Sequence, residues 1–312
     1  MMKKKVTMAL CGLGVLGIAG SAFAAPLTLT GNYLKVGISD YGTLGSNGST
    51  SPGILHDPTG TSTFTGDDYL TPGTPHEGFS FNSTETGFIQ NDNTGISNFG
   101  STSPTLLVGA AANGYDNAAS WTGSNGSLTV TNSYFFNIGD ERILIQTTIS
   151  SSRALTNAAF ARSEDPDPDV NTFGSFATNN QRGNSLFSMA DFVGAAGAST
   201  GLTIALLNGE GNPVDHNTAI GPGCCSNLDP YYVLTGGDGT TSSAEDDSIN
   251  MAWRLGDLAA DESILLTYYY VFGENIDTTG GNGTVPEPAT LALMGMGLLG
   301  LGWSRRNKAK SK

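Results

Sequence analysis

Two stretches of apolar–polar alternation around a short polar break constrain this chain more than any other feature. Leu128, Val130, Tyr134 and Phe136 alternate with Thr129, Thr131 and Ser133; after a break at 137–141, Ile143, Ile145 and Ile149 alternate with Gln146 and Thr148. Successive side chains of a strand point to opposite faces, so the pair reads as a β-hairpin with one buried side. Further strands are expected at 154–162, 186–193, 202–207, 249–255 and 263–272. In the last of these, Ile264, Leu266, Tyr268, Tyr270 and Phe272 share one face and Leu265, Tyr269 and Val271 the other. Apolar residues on both faces predict a central strand covered on both sides. Within residues 25–100 only 27–38 reads as strand, while 45–52 and 57–65 read as loops. Helix signals are nearly absent between the two ends, and no solenoid-length repeat occurs. The expected fold is all-β, one large antiparallel β-sandwich over residues 25–278, flanked by an N-terminal signal helix and a C-terminal hydrophobic helix.

Composition agrees with many short strands joined by turns. Glycine makes up 43 of 312 residues, about twice its usual share, and Ser, Thr and Asn are abundant. Residues 25–284 keep six basic side chains (Lys35, Arg142, Arg153, Arg162, Arg182 and Arg254) against 27 acidic ones, a formal charge of −21. Such a surface repels nucleic acid and anionic lipid and attracts divalent cations.

Both ends read as addresses. Lys3–Lys5 form a basic n-region, 6–19 an apolar h-region, and Ala22-Phe23-Ala24 a small-x-small cleavage site. Signal peptidase would therefore cut after Ala24, leave Ala25 as the mature N-terminus and remove Cys11. Residues 279–284 form a Gly/Thr/Asn linker, and 285–312 a closing element: Val285-Pro286-Glu287-Pro288, an apolar run over 289–303, then Arg305, Arg306, Lys308, Lys310 and Lys312. Pro286 and Pro288 hold the approach extended. The apolar run would span roughly 22 Å as a helix, short of the roughly 30 Å hydrocarbon core. The cations behind it would hold the C-terminus in the cytoplasm. This element resembles the PEP-CTERM sorting signal of Gram-negative bacteria in all three parts and their order. The resemblance implies recognition by an exosortase, cleavage near Pro286-Glu287-Pro288 after transient membrane insertion, and release to the cell surface or an exopolysaccharide matrix. A permanent single-span anchor is the competing reading. Within the body, Leu255-Gly256-Asp257-Leu258, Glu262-Ser263-Ile264 and Tyr268–Gly273 are similar to strands that close galactose-mutarotase-like supersandwich domains, which implies a β-sandwich and no particular activity.

The strongest chemical candidate is Glu164-Asp165-Pro166-Asp167-Pro168-Asp169-Val170-Asn171. In an extended backbone stiffened by two prolines, Asp165, Asp167 and Asp169 would share one side. Like charges so placed call for a cation, and oxygen donors select Ca2+ before Mg2+. The expected ligands are Asp165, Asp167, Asp169 and Asn171. The segment resembles aspartate ladders of calcium loops but departs from the EF-hand, with Val170 where Gly is required and Phe176 where a bidentate Glu belongs. A solvated acidic turn with Arg162 as partial counter-ion is the alternative. A second acidic group, Asp238 and Glu245-Asp246-Asp247, reads as a charged loop or a lesser ion site.

Cys224 and Cys225 are the mature cysteines; in an oxidising compartment they form either a vicinal disulfide, free thiols or an intermolecular bridge. Gly197-Ala198-Ser199-Thr200-Gly201 has the spelling of a nucleophile elbow, but a strand follows it, so it reads as a hairpin turn, with His216 and Asp215 weak candidates for a triad. The His76-Glu77 pair reads as solvated within a Pro- and Gly-rich loop, with a sugar-epimerase acid–base role the lesser option. Tyr231 and Tyr232 are the better candidates for stacking on a sugar, ahead of Trp121 and Trp253. The reading that results is a secreted, non-catalytic surface or matrix protein, handled by signal peptidase and exosortase, associated with exopolysaccharide and stabilised by Ca2+. The alternative is a carbohydrate-active epimerase or lyase on a supersandwich scaffold. A surface-layer subunit is a third.

Overall fold

The structure, a computed structural model, describes residues 26–45, 51–65, 68–70, 76–212 and 214–281. The expected cleavage site at Ala22 and Ala24 and the tail elements Pro286, Glu287, Pro288, Arg305 and Arg306 lie outside them, as does the apolar run 289–303. Among the described residues no helix is long and apolar enough to cross a membrane.

The first strands are β1 (Leu27–Thr30), β2 (Leu34–Ile38), β3 (Ile54–His56), β4 (His76–Asn82), β5 (Ile89–Asp92) and β6 (Thr105–Leu106). The long meander follows as β7 (Asn117–Asn125), β8 (Leu128–Phe136), β9 (Arg142–Ser151) and β10 (Leu155–Asp165). After the short helix α1 (Val170–Phe173) come β11 (Thr178–Arg182), β12 (Phe192–Gly197), β13 (Thr203–Asn208) and β14 (His216–Gly221). Helix α2 (Pro230–Thr235) precedes β15 (Thr241–Glu245), β16 (Ser248–Leu258) and β17 (Ser263–Gly273). They form a nine-stranded sheet, β15-β11-β12-β13-β17-β9-β8-β7-β6, a five-stranded sheet, β14-β16-β10-β4-β5, and a small sheet, β1-β2-β3. The all-β, antiparallel expectation holds.

The two large sheets pack face to face. Phe79, Phe81, Phe160, Met251 and Trp253 of the five-stranded sheet share one core with Trp121, Tyr134, Ile145, Leu206, Tyr268 and Tyr270 of the nine-stranded sheet. Trp253 and Tyr268 meet across the interface with ring centroids 4.7 Å apart and planes tilted by 38°. Each such fully buried side chain removes enough apolar surface to stabilise the fold by about 1.5–3 kcal/mol. The outer face of the five-stranded sheet carries small residues at Ala161, Ala219 and Ala252, which let α2 lie against it through Val233.

Four expectations need correction. The strand expected at 186–193 begins only at Phe192, because the Asn184 side chain accepts the Leu186 and Phe187 amides (2.9 Å each) and holds the preceding segment in a turn. Residues 76–82, expected as loop, form β4 inside the five-stranded sheet, paired on both sides. Strand β17 is central, but its outer face is only partly covered, with Leu265 exposed and Val271 buried beneath a small cluster containing Phe187 and Ile276. The linker expected at 279–284 starts inside the packed body: Thr279 is buried and its hydroxyl donates to the Asn275 carbonyl (2.7 Å).

Candidate metal centre

Two polar clusters flank β10, one on each face, because neighbouring residues of a strand point oppositely. On the inner face, Arg162 lies opposite Phe79, and Glu164 opposite Glu77, across the β10–β4 ladder. Arg162 and Glu77 form a fully buried ion pair through Nε and Oε1. Glu77 also accepts the Leu44 amide (2.6 Å) and the Tyr270 hydroxyl (2.8 Å), so the pair joins both large sheets and the turn after β2. Burial raises the Glu77 carboxyl in spite of Arg162 and these donors. Glu164 is fully buried with neither oxygen partnered among the described residues, and burial, reinforced by the Glu77 charge, pushes its carboxyl well up.

On the outer face, β10 ends at Asp165, directly opposite His76. Asp165 and Asp167 are each 2 % exposed, so the turn is buried and the alternative of a solvated acidic turn does not hold. Arg162 is not their counter-ion, since it faces the opposite side and pairs with Glu77. One carboxylate oxygen each of Asp165, Asp167 and Asp246 lie within 4.8 Å of one another. Asp246 sits at the short connection between β15 and β16, so topology unites two acidic segments that the sequence keeps apart. Burial pushes the Asp165 carboxyl up to about 7, with the charges of Asp246 and Asp247 adding to it and the Cys225 backbone amide opposing it. Burial, then Asp165 and Asp246, push Asp167 up to about 9.

The expected ladder stops at Asp167. After Pro168 the backbone turns helical (Asp169 φ −98°, ψ −4°), which breaks the extended alternation. The Asp169 carboxylate instead accepts the Ser199 amide (2.6 Å) and the Thr200 hydroxyl (2.5 Å), fastening the β12–β13 turn. Asn171 lies exposed on α1. Asp169 does not belong to the group around Asp165.

Cys224 and Cys225 are bonded to each other, with Cα atoms 3.7 Å apart. Cys225 adopts φ +74°, and its sulfur lies 3.6 Å from Asp165 Oδ2. Next to it, the Gly223 amide donates to Asp247 (2.7 Å), tying the cysteine loop to the β15–β16 connection.

The other candidates disperse. His76 and Glu77, expected as a solvated pair, are fully buried on opposite faces of β4. Burial lowers the His76 pKa against the opposing Asp92 charge. His216 pairs with Asp191 (2.8 Å), and Ser199 lies in the tight turn between β12 and β13. Tyr231 and Tyr232 are half-buried on α2, which is capped by Asp229. Tyr231 donates to the Asn157 carbonyl and borders a shallow cleft of 340 Å³ with Asn82, Ser83 and Thr84, while Tyr232 donates to Asp238 (3.0 Å). Trp121 and Trp253 are core residues. A larger cleft, 540 Å³, is bordered by Tyr33, Glu141, Arg142 and Glu274 and was not anticipated from the sequence.

No curated protein sequence matches the chain significantly. Among solved structures, a bacterial glucoamylase complexed with acarbose aligns over 88% of this chain and 35% of its own, at 10% identity and TM-score 0.44. A protein of Escherichia coli K12 assigned as an aldose 1-epimerase aligns over 80% of this chain and 99% of its own, at 10% identity and TM-score 0.41. A heparan sulfate lyase mutant from Pedobacter heparinus aligns over 80% of this chain and 37% of its own, at 8% identity and TM-score 0.38. The chain thus spans about a third of the glucoamylase and the lyase, and likenesses this remote carry nothing about activity. The family model of the PEP-CTERM protein-sorting motif matches residues 284–306. The chain carries a PEP-CTERM sorting motif at its C-terminus, the mark of an exported protein sorted by an exosortase.

Proposed function

We propose that this is a secreted, non-catalytic protein of the cell surface or exopolysaccharide matrix of a Gram-negative bacterium, with a β-sandwich body stabilised by Ca2+. The sorting motif at 284–306 is the observation that carries the reading. On this reading, signal peptidase cuts after Ala24, residues 289–303 hold the chain briefly in the inner membrane, and exosortase acts near Pro286-Glu287-Pro288. The interior supports a structural role. Glu77, Arg162, Glu164 and His76, the groups best suited to acid–base work, are sealed within or beneath the sheets, where a substrate has no access. The formal charge of −21 on residues 25–284 suits a hydrated, cation-rich matrix.

Deleting residues 285–312 in the producing cell should move the protein from the surface fraction to the periplasm; unchanged surface deposition would contradict the sorting role. Incubating the purified protein with oligosaccharides should give no turnover. Turnover that His216→Ala or His76→Ala abolishes would establish the carbohydrate-active alternative instead.

A further inference from the structure

The geometry points to a Ca2+ site formed by Asp165, Asp167 and Asp246, tying the end of β10 to the corner where the chain passes from the nine-stranded to the five-stranded sheet. It deepens the reading above by naming the cation's ligands, yet it rests on the body alone, so a failure of surface sorting would leave it standing.

One oxygen from each of the three carboxylates lies within a 4.8 Å span. Oxygens on opposite sides of a Ca2+ ion, bound at about 2.3–2.6 Å, are about 4.6–5.2 Å apart. The trio can therefore share a single ion without large movement. A second observation is independent of the clustering. Asp167 Oδ1 is buried and has no hydrogen-bond partner among the described residues, and its residue is only 2 % exposed. A buried carboxylate oxygen without a donor is unfavourable, and a cation is the partner that answers both this and the neighbouring like charges.

Donor chemistry narrows the ion. The three side chains offer carboxylate oxygen only, which favours hard cations over zinc or copper. Cys224 and Cys225 lie alongside, but their sulfurs are bonded to each other, and the thiolate is the form that binds metal. Mg2+ keeps several waters in a tight octahedron, whereas two of these three ligands are buried, which favours the looser Ca2+ shell. Exposed Asp246 forms the mouth through which an ion enters. The surroundings hold the ligands in place: the Asp167 amide donates to the Tyr69 carbonyl (2.8 Å), and the Asp247 carboxylate accepts the Gly223 amide (2.7 Å).

The test is calorimetric titration of the intact, EDTA-treated protein with CaCl2, with thermal unfolding alongside. One ion per chain is expected, and a melting temperature raised by about 5–10 °C at roughly a hundredfold excess over Kd. Asp246→Asn, on the surface, should fold with a wild-type circular dichroism spectrum yet bind Ca2+ at least about tenfold more weakly. Asp169→Asn should bind as wild type does. Absence of binding heat and of any thermal shift at about 10 mM Ca2+ in the folded wild type would overturn the site. Wild-type affinity in Asp246→Asn would overturn the ligand set, and an equal response to Mg2+ would overturn the choice of ion.

Discussion

Glu77 organises the interior from a single position. Its carboxylate meets Arg162 from β10, Tyr270 from β17 and the Leu44 amide, while the Arg162 guanidinium also lies over the Phe79 and Tyr134 rings, 5.8 and 5.9 Å from their centroids. Glu77→Gln would leave Arg162 as an uncompensated buried cation, and a loss of about 3–5 kcal/mol is expected in urea unfolding. The double variant Glu77→Gln, Arg162→Met should lose less than the two single losses added together, because the pair is coupled. A wild-type midpoint in Glu77→Gln would contradict this role. Asp57 shows a different kind of control: it accepts the amides of Thr59, Thr61 and Thr63 and the hydroxyls of Thr59 and Thr61. The Thr59 hydroxyl leads these donors, which together hold its carboxyl far below the ordinary Asp value of 3.8 against the effect of burial. A depressed folded pKa contributes stability that is complete above the unfolded value and declines as pH falls below it. Asp57→Ala should therefore melt below wild type at pH 6, with the gap closing as pH falls through and below the ordinary Asp range. A gap that is constant with pH would refute the linkage.

Among the elements, the turn after β2 locks the small sheet onto the large one. Gly42 has φ +70°, and a Cβ there would come within 2.2 Å of the Trp121 ring. Its carbonyl accepts both the Asn132 side-chain Nδ2 (2.9 Å) and the Tyr134 hydroxyl (2.7 Å). Gly42→Ala combines backbone strain with overpacking and should lower stability by about 2–4 kcal/mol, read by thermal or urea unfolding; a loss under about 0.5 kcal/mol would show that the turn is not held. Strands β8, β9 and β17 were legible in the sequence because their inner residues are apolar and regularly spaced. Strand β4 was not, although its inner face is Glu77, Phe79 and Phe81: the first of these is an acid whose buried partner comes from a distant strand. The same limit applies to the acidic corner. Asp165 and Asp167 are local to one motif, but Asp246 reaches them only through the order of strands, and Asp169 leaves the ladder because Pro168 is followed by a helical turn.

For the molecule as a whole, a sandwich with a buried ion pair inside and an acidic corner outside is followed by a C-terminal sorting motif. The net acidity of the body and its almost complete lack of lysine give it a surface that attracts divalent cations. On the proposed reading the apolar tail is a temporary attachment and is removed, whereas a lasting membrane anchor would keep it. Intact-mass measurement of the protein recovered from the cell surface tests that most directly. The expected chain begins at Ala25 and ends close to Pro286-Glu287-Pro288, with residues 289–312 gone; a surface-bound chain that still ends at Lys312 would refute removal of the tail.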